Sequence, residues 1–363
     1  MSYASERASA INPDELVKGK EIGRSEFSIV YSGRYHERKV AIRELVNHHQ
    51  PTPGSENDED LDRDARIAEK CRHYAIVEFI GAVFAPGKQA IVTELCEYGS
   101  LNDAMVEHIE VFNEAMKTKC LFDVSCAMNY LHNDGIIHKD LRPQNVLITS
   151  LNPRGSDVVA KVTDIRTSRT EHRINCVIST GSGQDPFMAP EILRRAIVYD
   201  KSVDVYSFSM LMYYIFAEKI PTEDSVFMKE SDPFGQIISG IRPHVPSACS
   251  TDITLLMVRC WDANPVKRPS FEQISGLLRG YWEKQAFNKE QAKTRMKARE
   301  LIDRLHLDKE EVLSWTFGGG TEFNLLCELL KTNAIPTKRL VIESPLLSDT
   351  AHHFYGIVDA ALN

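Results

Sequence analysis

The stretch His138-Lys139-Asp140-Leu141-Arg142-Pro143-Gln144-Asn145 decides how this chain is read. It follows the residues Met116, Cys120, Leu121, Val124, Ala127, Met128 and Leu131, whose helical spacing predicts one buried helix face. Asn133-Asp134-Gly135 ends that helix, and the short apolar run Ile136-Ile137 leads into the motif. A loop braced by such a helix holds its polar residues in fixed relation. An Asp followed five residues later by an Asn, here Asp140 and Asn145, suits transfer of a phosphoryl group to a hydroxyl. The carboxylate orients the hydroxyl and accepts its proton, and the Asn holds a metal ion.

Composition narrows the setting. At 363 residues there is room for one large bilobal unit with an extension, or for about two or three compact domains. The net charge of −8 gives no basic surface for nucleic acid. The eight cysteines (Cys71, Cys96, Cys120, Cys126, Cys176, Cys249, Cys260 and Cys327) form no Cys-x-x-Cys pair. That argues against a zinc site or a disulfide framework and fits a reducing compartment, cytoplasmic or nuclear. The N-terminal residues carry no apolar core for a secretion signal. The longest apolar tract, 205–217, contains two serines and is too short to span a bilayer, so no membrane insertion is expected.

Along the chain, residues 1–15 are polar and read as loose. Strand patterns follow over Leu16–Ile22, from Ile29-Val30-Tyr31, and over Lys39-Val40-Ala41-Ile42-Arg43, in the order of an antiparallel meander. Residues 47–60 read as a turn-rich acidic loop, 61–71 as a helix, and 76–83 and 89–95 as strands. After Tyr98-Gly99-Ser100 the pattern turns largely helical, up to an edge at Gly280. Residues 281–305 read as a charged helix with a thin apolar stripe, a solvated appendage rather than a coiled coil. Gly318-Gly319-Gly320 lacks the Lys-Ser/Thr of a phosphate loop and reads as a flexible turn.

The motif resembles the catalytic loop of the eukaryotic protein kinases, with Lys139 in the Arg position of His-Arg-Asp. Further marks stand in order and at matching spacings. Gly23 to Val30 resembles the glycine-rich hairpin over ATP, with Ser25 and Ser28 at its second and third glycines. Val40-Ala41-Ile42-Arg43 resembles Val-Ala-Ile-Lys, and Asp64 stands where the lysine's helical Glu partner is expected. A long Arg facing a short Asp restores the span of that ion pair; two independent losses leave the same pattern. Ile91-Val92-Thr93-Glu94-Leu95-Cys96 resembles the hinge, with Thr93 as gatekeeper and Glu94 and Cys96 beside the adenine. Asp164-Ile165-Arg166 replaces Asp-Phe-Gly, and Gly183-Gln184-Asp185 replaces Gly-Thr-Pro ahead of Met188-Ala189-Pro190-Glu191. Asp204-Val205-Tyr206-Ser207-Phe208, Arg259-Cys260-Trp261 and Asn264-Pro265 with Arg268-Pro269 complete the match.

The wording leans toward the tyrosine-kinase-like group, which includes Raf-type and integrin-linked kinases. The resemblance implies an α+β, bilobal protein-kinase-like fold: an N-lobe of a small antiparallel sheet and one helix over about 14–96, and a mainly helical C-lobe over about 97–280. Residues 1–13 would be a tail and 281–363 a C-terminal helical extension. It implies catalytic roles for Asp140 and Arg142, and Mg2+ ligands in Asn145 and Asp164. Gly23, Val30, Ala41, Arg43, Asp64, Thr93, Glu94, Cys96 and Leu147 would form the ATP site, and Arg268 would pair with Glu191. Partners would be a protein substrate or signalling partner.

Three functions remain open at this point. One is an ATP–Mg-binding pseudokinase or weak kinase, favoured because the altered Gly hairpin, Arg43, Asp64 and Arg166 depart from the active pattern. Another is an active Ser/Thr kinase using Arg43, and the third is a nucleotide-free scaffold. Ser179, Thr180 and Ser182 are candidate phosphosites, with Lys139 or Arg166 as phosphate partners.

Overall fold

The computed structural model describes residues 9–25, 28–45, 56–85, 87–152, 159–165, 185–196, 199–228, 232–283, 313–316 and 340–343. The chain divides into two compact units, Met1–Gly280 and Tyr281–Asn363.

In the first unit, runs carrying β-branched and aromatic residues make β1 (Leu16–Arg24), β2 (Ser28–Tyr35) and β3 (Arg38–Leu45). α1 (Glu56–Lys70), β4 (Phe79–Val83) and β5 (Ala90–Glu94) follow. The five strands form one antiparallel sheet in the order β1-β2-β3-β5-β4. Its core cluster holds Val40, Ile42, Val83, Ala90 and Val92, and Ile11 from the N-terminal segment. α1 begins within what the sequence reads as loop, because an acidic stretch suits a helix N-terminus.

Residues 9–15 are not the loose lead-in expected from their polarity. Ala10 bridges Ala82 in parallel, the Ile11 N–H donates to Ala82 O at 2.9 Å, and Ala82 N–H donates to Ser9 O at 2.9 Å. The Ser9 N–H also donates to Glu69 Oε1 at 3.1 Å, tying this strap to α1. Asn12 then caps a short turn leading to β1. Gly81 makes room for the strap: a Cβ there would meet Ile11 Cγ1 at 2.7 Å and Ser9 O at 2.8 Å. Ile11→Ala is therefore expected to cost about 2–4 kcal/mol in urea unfolding, as for other buried aliphatic truncations. A loss under half a kcal/mol would mean the strap adds nothing to the N-lobe.

The next part is mainly helical: α2 (Leu101–Glu107), α3 (Glu114–Asn133), the hairpin β6 (Val146–Ile148) and β7 (Ala160–Val162), α4 (Pro190–Leu193), α5 (Ser202–Ala217), α6 (Pro233–Ser239), α7 (Thr251–Cys260) and a helix from residue 271. Ser100 and Asp103 make a reciprocal capping box on α2, and Asn113 caps α3 through Ala115 and Met116. The apolar tract 205–217 lies in α5, which is buried on all sides and forms the centre of this lobe. No helix among the described residues is long and apolar enough to cross a membrane.

A buried carboxylate joins α3 to the β6–β7 hairpin. Asp123, fully buried, accepts from Lys119 Nζ at 2.6 Å and from Val159 N at 2.9 Å. Burial pushes the Asp123 carboxyl above its usual range, and the adjacent ammonium and amides pull it back. β7 in turn meets the N-lobe, because Val77 N donates to Val162 O and Val162 N to Ala75 O, each at 2.9 Å.

In the second unit, β8 (Leu313–Thr316) and β9 (Leu340–Glu343) pair in parallel, with Leu313 opposite Leu340. The sequence reading anticipated helix in this extension and no strand. Gly318-Gly319-Gly320 and most of 281–305 lie outside the described residues.

Candidate active site

The catalytic loop is built around Asp204 at the start of α5. This carboxylate is fully buried and accepts the His138 N–H at Oδ2 and the Lys139 N–H at Oδ1, each at 2.8 Å. His132 Nε2, from α3, donates to the same Oδ2 at 2.8 Å. Lys139 takes a left-handed conformation, φ 65°, which a non-glycine residue holds only where its surroundings enforce it. The paired amide bonds to Asp204 are that enforcement. His138 is buried, and its Nδ1 accepts the Asp140 N–H at 3.2 Å. Its Nε2 must then carry the hydrogen that it donates to Thr163 O at 2.9 Å.

The fold brings Asp140 and Asn145 together. Asn145 Nδ2 donates to Asp140 O at 2.7 Å and to Asp140 Oδ2 at 2.9 Å. The carboxylate that would receive a hydroxyl proton is thus held at a fixed angle. Thr163 N donates to Asn145 O at 3.0 Å, so Asp164 follows directly from the same framework. Asp164 is also left-handed, φ 63°.

Sheet register collects the N-lobe residues. Gly23, Val30, Arg43 and Ile91 stand opposite one another across β1, β2, β3 and β5. Ser32, Ala41 and Thr93 form the adjacent row. Directly opposed residues share a face, so Gly23, Val30, Ala41, Arg43 and Thr93 lie together, away from the core face of Val40 and Ile42. Glu94 falls on the other face. Its carboxylate accepts from Lys161 Nζ at 2.6 Å and from Glu78 N at 2.8 Å, so only its backbone remains for a purine edge. Cys96 is buried, and burial pushes its thiol up to about 12. Leu147 sits on β6 opposite Lys161, half-buried.

The two serines that replace glycines lace the hairpin to itself. Ser25 N donates to Ser28 O at 2.8 Å, Ser28 N donates to Ser25 Oγ at 3.1 Å, and the two hydroxyls lie 3.0 Å apart. Two amides of this turn are therefore spent inside the loop.

Arg43 Nη1 donates to Asp164 Oδ1, and both side chains are largely buried. Asp64 is placed on α1, half-buried. Asn145 and Asp164 are oxygen donors of the kind magnesium takes. Here the Asp164 carboxylate already holds a guanidinium, and the Asn145 amide is tied to Asp140. Among the described residues, no group of three or more His, Cys, Asp and Glu could hold a metal ion.

Further contacts surround the loop. Arg142 Nη1 donates to Asp185 Oδ2, and its Nε donates to Gln144 Oε1 at 2.8 Å. Asp185 also accepts the Phe187 N–H at 2.9 Å, so it fixes the segment ahead of α4 onto the catalytic loop. Lys139 Nζ sits 5.5 Å from the Tyr199 ring centroid, a cation–π contact. Arg268 grips Glu191 through both of its terminal nitrogens, as the resemblance implied. The sequence reading missed Asp185, Lys161 and Tyr199. The only signal for Asp185 was a charged residue where proline is usual. Arg166, Ser179, Thr180 and Ser182 lie outside the described residues.

The comparisons with known proteins agree with this geometry. The family model for protein tyrosine and serine/threonine kinases matches residues 16–278. The probable serine/threonine-protein kinase gdt2 of Dictyostelium discoideum is 34% identical over 287 residues, covering 78% of this chain and 17% of that protein. Serine/threonine-protein kinase STY17 of Arabidopsis thaliana is 29% identical over 272 residues, 74% of this chain and 45% of its own length. The dual specificity protein kinase splA of Dictyostelium discoideum is 30% identical over 277 residues, 73% of this chain and 11% of its own length. The chain thus spans less than half the length of each of these relatives. With the family match running from β1 into the last helix of the C-lobe, the chain belongs to the protein tyrosine and serine/threonine kinase family.

Proposed function

We propose that this chain is an ATP-binding, kinase-like signalling protein with weak transfer to a protein Ser or Thr hydroxyl, whose output is carried mainly by conformation and partners. The observation that carries this reading is a contrast within one cleft. Asp140 keeps the Asn145 clamp that a proton acceptor needs, while Ser25 and Ser28 consume amides of the phosphate hairpin. Chemistry that relies on positioning loses rate when the phosphate is held loosely. Thr93 and the backbone of Glu94 and Cys96 would border the adenine, and Arg43 would carry the counter-charge of the phosphates. The six described cysteines are all free, in keeping with a reducing cytoplasmic or nuclear setting. Partners would be a protein substrate or a signalling protein.

The test is a melting titration with ATP, followed by a transfer assay. Saturating ATP, at a hundred times its dissociation constant, should stabilise the fold by about 2.7 kcal/mol. Asp140→Asn should keep that shift and remove whatever transfer the wild type shows. An unshifted melting temperature at millimolar ATP would support the nucleotide-free scaffold instead. A second reading, an active Ser/Thr kinase using Arg43, is favoured by the intact Asp140–Asn145 geometry. Robust transfer that disappears in Asp140→Asn would establish it over the first.

A further inference from the structure

We propose that Ser9 is a phosphorylation site, and that a phosphate there releases the N-terminal strap from β4 and α1. Ser9 is exposed, and its contacts tie the strap to both elements. Its N–H donates to Glu69 Oε1 at 3.1 Å, and its hydroxyl donates to the same oxygen. Its carbonyl accepts the Ala82 N–H at 2.9 Å. In the sequence, Arg7 stands two residues ahead of Ser9, a cation for an acidic kinase cleft to read. The acting enzyme is an ATP-dependent protein Ser/Thr kinase. The Ser9 Oγ bonds to the γ-phosphorus of ATP, and the bond from that phosphorus to the β–γ bridging oxygen breaks. ADP leaves, and the hydroxyl proton passes to the base of that kinase.

Phosphorylation reverses the sign of the contact with α1. A hydroxyl that donates to a carboxylate becomes a group of about two negative charges that only accepts. Glu69 is half-buried, so the repulsion is screened less than between fully exposed charges. Glu69 is also the penultimate residue of α1, where the helix dipole adds negative potential. A phosphate beside a carboxylate at a helix C-terminus disrupts what it touches. Arg66, one turn back along α1, donates to Asp62 Oδ2 at 2.6 Å. Capture of the phosphate by Arg66 would tighten the strap instead, and the experiment below separates the two outcomes.

The rest of the strap's hold on β4 is short. It consists of the bond at Ser9 O and that from the Ile11 N–H to Ala82 O, each 2.9 Å, together with the buried Ile11 side chain. Pro13 has no N–H with which to lengthen the ladder. Asn12 Oδ1 accepts the Asp14 N–H at 3.1 Å and caps the next turn, so the strap can swing about residue 12 while β1 stays in place. Its departure bares the backbone groups of the β4 edge. It also loosens the seam in which Ala82 packs against Ala65 of α1, both fully buried.

The experiment compares the full chain with and without phosphoserine encoded at position 9, by amide hydrogen exchange. The Ile11 and Ala82 amides should exchange at least about tenfold faster with the phosphate, and the last turn of α1 should follow. Glu69→Gln in the phosphorylated chain should restore most of the protection, because a neutral amide offers an N–H to the phosphate. Ser9→Ala loses the hydroxyl bond without gaining repulsion, and should change exchange by less than about threefold. Unchanged or slower exchange at Ile11 and Ala82 overturns the inference, slower exchange being the mark of capture by Arg66. That comparison needs neither substitution, so it stands whether or not the variants fold. Trypsin cuts after Arg7 and Lys18, so mass spectrometry of the chain from its own cells reads Ser9 in one peptide, residues 8–18. The phosphorylated peptide is expected there under phosphatase inhibition. Recovery of the unmodified peptide alone overturns the assignment of Ser9.

Discussion

Urea unfolding of Asp204→Ala should show a loss of about 3–5 kcal/mol, the range for removing one partner from a buried charged network. The reason lies in what one carboxylate does. Asp204 is fully buried and accepts two consecutive backbone amides, His138 N and Lys139 N, and the His132 ring. Alanine leaves all three donors inside the protein without an acceptor, and each unsatisfied donor costs roughly 1–3 kcal/mol. It also removes the contact that holds Lys139 at positive φ, so Asp140 loses its fixed bearing. Asparagine keeps one oxygen but turns an amino group toward a donor, and should lose less, about 1–3 kcal/mol. The position at the N-terminal turn of α5 adds to the effect, since the helix dipole favours a negative charge there. A loss below 1 kcal/mol in Asp204→Ala would show that water or a neighbour replaces the carboxylate, and that the loop is not held from α5.

The second large effect is expected at Arg268. Its side chain is completely buried and makes a two-pronged pair with Glu191, Nη1 to Oε1 at 2.6 Å and Nη2 to Oε2 at 3.0 Å. It also donates to Ser202 O at 3.0 Å and to Asp262 O at 2.9 Å. Arg268→Ala strands the Glu191 carboxylate and should cost about 3–5 kcal/mol. Arg268→Lys cannot reproduce a planar fork and should recover only a minor part of that loss. The discriminating variant is Arg268→Ala with Glu191→Ala. If the penalty comes from a stranded charge, the double variant is more stable than Arg268→Ala alone, with a coupling of roughly 0.5–3 kcal/mol. Equal stability of the two would mean that the carbonyl contacts to Ser202 and Asp262 carry the effect.

Much of the fold can be read from local pattern. Strand-like runs marked β1, β2 and β3, and helical spacing marked α3, because a packed helix must turn a continuous apolar face inward. Motif spacing added the long-range matches, such as Arg268 with Glu191, since those positions follow from a resemblance rather than from chemistry nearby. The strap at 9–12 was not legible. Apart from Ile11 its residues are polar or small, and the edge of β4 and the absent side chain of Gly81 give it a place to lie.

The sequence by itself determined the residue types available to the site: a carboxylate at Asp140, an amide at Asn145, a second carboxylate at Asp164, and an arginine where a lysine is expected. It also determined the meander and the helical second lobe, because both follow from hydrophobic periodicity. Only the tertiary structure decided which partner each charged group takes. Arg43 donates to Asp164, 121 residues away, a contact that motif spacing did not point to. Arg142 also pairs with Asp185, 43 residues on, a contact that the sequence reading did not point to. Ser25 and Ser28 stand where the resemblance has glycines, and in the fold they bind each other. The physical reason is common to all of these. A buried or half-buried polar group takes whichever donor or acceptor the packed chain brings within about 3 Å, and sequence separation carries no information about that distance.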